Sequence, residues 1–163
     1  MHLNVRNRIL HCTEADAITR VEIIQPLWNN YGALSRVYLV GGQCSSVIVK
    51  HIKIPQEVSH PRGFTSSVSK QRKIQSYAVE KNWYAHQNHN VHRGTPTPTC
   101  LDVFDEAGEL VLLLQDLSTI GYTEVLNEVC IEEIAVVLSW LAHFHAQFLG
   151  DLGDGLWSLG TYW

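Results

Sequence analysis

Two charged residues stand where a charge is unfavourable. Lys50 lies in the apolar run SVIVKHI, residues 46–52, whose alternate side chains would point to two apolar faces of a central strand. Glu80 lies in an aromatic stripe, with Tyr77 one turn before it and Tyr84 one turn after it. A buried charge is strongly destabilising unless an opposite charge meets it. The two residues therefore form a candidate ion pair, and a lysine held in this way can bind a phosphate anion.

A purely structural interpretation of the same residues stays open at this point. The aliphatic stem of Lys50 can carry its ammonium group to the edge of the sheet, and Glu80 can lie at the rim of its helix. The secondary structure predicted around the two residues is needed to choose between these arrangements.

The first half of the chain predicts one helix followed by three strands. Thr13, with acidic residues after it, predicts the cap of a short helix that runs to about Arg20. The runs VEIIQPLW, ALSRVYLV and SVIVKHI are rich in β-formers, and GGQCS between the last two is typical of a hairpin. Prolines and a serine cluster predict a loop over residues 53–68.

The second half predicts a helix, two strands and a long helix. Good helix formers without Gly or Pro predict a helix from Ser69 onward, and CLDVFD and ELVLLLQDL predict strands around the turn EAG. An amphipathic helix is predicted over residues 127–149, with Asn127 as its cap and Gly150 as its stop. The expected fold is α+β, with a five-stranded, largely antiparallel sheet and a helix packed against it.

These motifs, taken in order, resemble the aminoglycoside-phosphotransferase and choline-kinase-like superfamily, and within it the ecdysteroid-kinase-like branch of small-molecule kinases. LWNNYGALSRV resembles the turn that covers the phosphates, SVIVKHI the lysine strand, and HPRGFTSSVSKQRKIQSYAVEKNWY the loop and glutamate helix. LLLQDL resembles the hinge, with Gln115 where an acid is usual, and LSWLAHFHAQFLG and GLWSLGTYW resemble the segments that follow. The resemblance extends over roughly residues 21–163.

The resemblance implies a protein-kinase-like amino-terminal lobe over residues 1–117 and the start of a second lobe over residues 118–163. It implies ATP-dependent phosphorylation of a hydroxyl group on a small molecule. Lys50 would contact the α and β phosphates of ATP, and Glu80 would hold Lys50. The turn at residues 29–34 would cover the phosphates through Asn30, Tyr31 and Gly32. Adenine would be seated, mainly by main-chain groups, at Leu114, Gln115, Asp116 and Leu117.

The catalytic part of such an enzyme does not occur in this sequence. The superfamily carries its acceptor-positioning carboxylate and its Mg²⁺ ligands on an H-G-D-x-x-x-x-N-type loop and a following Asp motif. Asp151 and Asp154 lack the preceding His and the following Asn. We therefore expect a truncated, inactive lobe that binds adenine nucleotide weakly, with no catalytic residue, and with Mg²⁺ only in a full-length relative. The alternative is a naturally shortened, non-catalytic interaction or nucleotide-binding module.

A metal site is a competing hypothesis. HQNHNVH spaces three histidines at intervals of three, and a thiol follows, so a zinc ligand set would consist of His86, His89, His92 and Cys100. The helix is expected to end between them, which favours solvated histidines near the helix terminus.

The composition of the chain limits the classes of function that it can have. The chain has 163 residues, 45% of them hydrophobic and 17% charged, with a net charge of −4, which predicts a globular protein that binds neither nucleic acid nor membrane. No signal-peptide core opens the chain and no CxxC occurs, so we expect a cytoplasmic protein with free thiols. The apolar stripe of residues 127–149, which would normally face a second lobe, predicts a homodimer or a higher oligomer.

Overall fold

The structure, a computed structural model, describes residues 2–54, 67–92, 94–150 and 153–157. Within these ranges the chain has an α+β fold of five strands and three α-helices. The strands are β1 (Ala17–Pro26), β2 (Gly32–Val40), β3 (Ser46–Ile52), β4 (Cys100–Glu106) and β5 (Glu109–Gln115). The helices are α1 (Leu3–Thr13), α2 (Ser67–Asn82) and α3 (Ile131–Gln147).

The five strands form one antiparallel sheet in the order β1-β2-β3-β5-β4. The lysine strand, β3, is therefore the middle strand, as the apolar character of both its faces predicted. Lys50 lies opposite Leu34 on β2 and opposite Leu112 on β5. The predicted five-stranded sheet is confirmed, and it places Lys50 at the centre of one face.

The two faces of the sheet pack against different helices. Val47 and Val49 point to a core that Val5 and Ile9 of α1 complete. On the opposite face, Ile52 packs with Tyr31 and with Tyr77 of α2. Because side chains alternate along a strand, Lys50 shares the second face. Helix α2 therefore covers the face that carries the lysine.

The first predicted helix was wrong in its position. Thr13 is the last residue of α1 rather than a cap, and its hydroxyl donates to the carbonyl oxygen of Ile9 at 2.7 Å. Glu14 then takes a left-handed conformation with φ 53°, and β1 begins at Ala17. The helix forms upstream because Val5 and Ile9, one turn apart, bury against the sheet.

The boundaries of the later helices also differ from the predicted ones. Helix α2 begins two residues earlier than predicted, and a π-helical turn, Trp83–Gln87, follows its end. The cap of α3 is Cys130 and not Asn127, because the Glu133 carboxylate accepts a hydrogen bond from the Cys130 main-chain N–H at 2.8 Å. Most of the predicted loop, residues 55–66, lies outside the described residues.

Candidate functional site

Lys50 and Glu80 form the predicted ion pair. The ammonium nitrogen of Lys50 lies 2.5 and 2.7 Å from the two carboxylate oxygens of Glu80. The side chains are 19% and 27% exposed, respectively. The prediction of an ion pair is confirmed, and the interpretation in which the lysine reaches bulk water at the sheet edge is excluded.

A second lysine lies beside this pair. The ammonium groups of Lys73 and Lys50 lie 4.7 and 5.7 Å from the centre of the Tyr77 ring. Burial lowers the pKa of Lys73, and the charge of Lys50 lowers it further, while Glu80 partly offsets both effects. The face between β3 and α2 thus holds two cations and one carboxylate around a buried aromatic ring.

The turn between β1 and β2 is held tightly against the lysine strand. Asn29 and Asn30 have left-handed φ angles of 54° and 57°. Gly32 has a φ of 121°, and a Cβ on it would lie 1.9 Å from the carbonyl oxygen of His51. Only glycine fits this close approach between β2 and β3, and the turn is thereby fixed beside the end of the lysine strand, at His51 and Ile52.

The three residues predicted in this turn have different positions. Asn30 is exposed, whereas the Tyr31 side chain is fully buried. The main-chain N–H of Tyr31 donates to Trp28, and its carbonyl oxygen accepts from Lys53. The buried Tyr31 side chain therefore holds the turn against the core, while Asn30 lies at the surface.

The predicted hinge begins on the same face as the ion pair. Leu114 lies opposite Ile48 and is 6% exposed, and both side chains share the face of Lys50. Gln115 is joined to the segment before β4, since its main-chain N–H donates to the Thr99 carbonyl at 2.8 Å. The glutamine side chain accepts from the Thr99 N–H at 3.3 Å. These contacts fix the end of β5.

Asp116 is a buried anchor for the segment that follows β5. Its carboxylate is 2% exposed and accepts hydrogen bonds from Arg36 at 2.6 Å, Ser46 at 2.7 Å and the Ser118 hydroxyl at 2.8 Å. Burial alone would raise the pKa of Asp116, but the hydrogen bonds from Arg36, Ser46 and Ser118 outweigh it and lower the pKa to about 2. The carboxylate thus ties the short helical turn Leu117–Ile120 to β2 and β3. This network was not predicted from the sequence, although Arg36, a charge inside the apolar run ALSRVYLV, is a signal of the same kind as Lys50.

The histidines of the competing zinc hypothesis are spread over different turns. His86 lies in the π-helical turn, and His89 lies in the 3₁₀ turn Asn88–Asn90. Among the described residues, no three His, Cys, Asp or Glu side chains are grouped so that they could hold a metal ion. Burial raises the pKa of Cys100 to about 11, and the nearby Asp102 contributes, so this thiol stays protonated near neutral pH.

Helix α3 packs by its aromatic residues. Phe144 stacks on Trp140 and contacts Trp83 of the π-helical turn, with ring centres 5.2 and 5.4 Å apart. The apolar stripe predicted to face a partner is mostly exposed. It includes Ile131 at 71%, Ile134 at 37% and Leu138 at 58% exposure. The tail that could cover it lies largely outside the described residues, so a homodimer through this helix remains a prediction.

Comparison with known proteins adds no family. A scan against protein-family models finds no match, and a search of curated proteins finds no relative. In the part of the chain that the structure describes, no helix is long and apolar enough to cross a membrane.

Proposed function

We propose that this chain is the ATP-binding lobe of a small-molecule phosphotransferase, which binds adenine nucleotide weakly and transfers no phosphate by itself. The observation that carries the proposal is the ion pair of Lys50 with Glu80 on the central strand. In kinases, a lysine on the third strand that pairs with a glutamate on the next helix binds the phosphates of ATP. Lys50 lies on the third strand of this chain, and Glu80 lies on the helix that follows.

The geometry of the pair suits phosphate binding. An ammonium group has three N–H donors, and the two oxygens of Glu80 engage two of them. One donor of Lys50 is left for a phosphate oxygen. Because Glu80 fixes the position of the nitrogen, this donor is held in place before the ligand arrives, which lowers the entropy cost of binding.

The turn and the hinge supply the remaining parts of the proposed site. The turn at residues 29–34 is pinned to β3 through Gly32, so its main-chain groups can approach a phosphate chain closely. Ile48 offers a half-buried apolar surface for adenine on the same face as Lys50, and the buried Leu114 side chain supports it from the neighbouring strand. Asp116 fixes the main chain at residues 115–118, where we propose that adenine is hydrogen-bonded.

Transfer of the phosphate is not part of the proposed activity of this segment. Phosphoryl transfer depends on a carboxylate that positions the acceptor and on ligands that hold Mg²⁺ against the phosphates. No HGD sequence occurs among the 163 residues. We therefore propose that the acceptor and the metal are bound by a second lobe, as in a full-length relative.

A non-catalytic interaction module is the second candidate. The observation that favours it is the exposed apolar stripe of α3, which includes Ile131 and Leu138. Stripes of this kind mark contact surfaces with other proteins. The two candidates differ in nucleotide binding through Lys50.

Calorimetric titration with ATP and ADP, in the presence and absence of Mg²⁺, tests the proposal. We expect weak binding that Lys50→Ala abolishes. Lys81→Ala is the matched control, because Lys81 lies on the same helix as Glu80 but pairs with Asp105 at the surface. Equal affinity of the Lys50→Ala variant and the parent chain would remove the basis of the proposal.

A further inference from the structure

Lys73 is placed to act together with Lys50. On α2, Lys73, Tyr77 and Glu80 lie at spacings of four and three residues, so their side chains share one face of the helix. Both ammonium groups lie over the ring of Tyr77, Lys73 at 4.7 Å and Lys50 at 5.7 Å from its centre. Tyr77 itself is 4% exposed, so its ring gives the two cations a rigid support.

The charges in this cluster do not balance. Both oxygens of Glu80 bond to Lys50. Within the described residues, no carboxylate is in ion-pair contact with Lys73. Burial and the charge of Lys50 both lower the pKa of Lys73, which means that its charged form is destabilised. An anion bound between the two lysines would stabilise that charged form.

We propose that Lys73 and Lys50 together form a site for a chain of phosphates, in which Lys73 is a second phosphate-binding cation. This inference rests on the proposed function. It specifies that the phosphate chain of the nucleotide binds on this face of the sheet. The single phosphate of AMP carries less negative charge than a phosphate chain. A di- or triphosphate carries charge along its length and can meet both, so the site favours ADP and ATP over AMP.

A structural role for Lys73 makes a different prediction. A lysine that only packs over an aromatic ring gains a modest cation–π energy and contributes to helix packing. Its replacement would change stability and would leave the affinity for phosphate chains unchanged. The two roles are therefore separated by binding measurements on a folded variant.

The experiment compares inorganic tripolyphosphate, ATP and AMP as probes with the parent chain and four variants. Lys73→Gln removes the charge, Lys73→Arg keeps it, Lys50→Ala removes the first cation, and Lys81→Gln is a control on the same helix. Circular dichroism checks that each variant is folded. We expect Lys73→Gln to weaken tripolyphosphate and ATP binding about tenfold, which corresponds to about 1.4 kcal/mol, and to change AMP binding little.

Further results separate this inference from the proposed function. Lys73→Arg should restore the affinity, and the NMR-detected pKa of the Lys73 ammonium should rise when tripolyphosphate binds. If Lys50→Ala abolishes ATP binding but Lys73→Gln does not weaken it, the second-cation inference is overturned and the proposed function stands. If the parent chain binds neither ATP nor tripolyphosphate, both are overturned.

Discussion

The ammonium group of Lys50 and the carboxylate of Glu80 are joined by two hydrogen bonds, of 2.5 and 2.7 Å, between the central strand and helix α2. The pair connects residues 30 positions apart in the sequence and is partly shielded from water. It holds the helix in one orientation against the sheet. This geometry explains why the pair should stabilise the fold and why Lys50 is proposed to bind phosphate.

Replacement of Glu80 should destabilise the fold. Glu80→Gln leaves the Lys50 ammonium group partly buried without an opposite charge, and we expect a loss of about 2 kcal/mol, less than for a fully buried pair. Urea unfolding of Glu80→Gln, Lys50→Gln and the double variant gives the coupling energy of the pair. The surface pair Lys81–Asp105, treated in the same way, should couple by less than about 1 kcal/mol. Equal coupling in the two cycles would contradict the partial burial of Lys50 and Glu80.

Gly32 should not tolerate a side chain. With φ at 121° and the His51 carbonyl oxygen 1.9 Å from the Cβ position, Gly32→Ala requires the main chain of β2 or β3 to move. We expect a loss of about 3 kcal/mol, since steric overlap adds to the strain of the left-handed backbone.

Gly108→Ala is the matched control for that substitution. Gly108 has a φ of 79° but no atom within 4 Å of its Cβ position, so only backbone strain of about 1 kcal/mol is expected. Thermal unfolding of both variants measures the difference. A Gly32→Ala variant as stable as Gly108→Ala would show that the turn is not pinned to β3.

Asp116 should make the fold sensitive to acid. Its pKa in the folded state is about 2, below the value of about 3.9 for an unfolded chain. A lowered pKa stabilises the fold above the unfolded value, and that contribution, about 2 kcal/mol, is lost as the pH falls from about 4 to 2. Asp116→Asn should remove most of this dependence and lower stability at neutral pH. Urea unfolding at pH 6, 4 and 3 measures how the free energy of unfolding depends on pH, with Asp105→Asn as an exposed control. An unchanged pH dependence in Asp116→Asn would contradict the role of Asp116 as a buried anchor.

The sequence predicted the parts of the fold that depend on local patterns. Runs of β-forming residues with turn signals between them predicted the five strands, and a lysine and a glutamate in apolar surroundings were predicted to form an ion pair. The helix at the start of the chain was misplaced because Thr13 looks like a cap, whereas the burial of Val5 and Ile9 against a distant sheet decides its position.

The rest of the candidate site depends on contacts that no local pattern contains. Asp116 accepts from residues 80 and 70 positions away, Arg36 and Ser46, and only the register of the sheet brings them together. No sequence pattern distinguishes Lys73 from the other basic residues of α2. Its contact with Tyr77 follows from their spacing of four residues on α2, but the approach of Lys50 to the same ring depends on how α2 packs against β3.

The exposed stripe of α3 should mediate self-association. Ile134 and Leu138 lie one turn apart and are 37% and 58% exposed, so burying them in a dimer gains hydrophobic free energy. We expect light scattering to give a dimer that Leu138→Glu converts to a monomer. Glu132→Gln, at an exposed position of the same helix, is the control and should leave the dimer intact. A monomeric parent chain would contradict this prediction.

The measurement that tests the nucleotide-binding proposal most directly is an NMR titration of the chain with ATP. We predict main-chain amide shifts at Lys50, Gly32 and Leu117, which surround the proposed site, and their loss in Lys50→Ala. The amide of Val5 should not shift, because Val5 lies on α1, which packs on the opposite face of the sheet. Shifts confined to the α1 face, or to the open cleft of about 740 Å³ beside His89 and Cys100, would contradict the proposal, as would the absence of any shift at millimolar ATP.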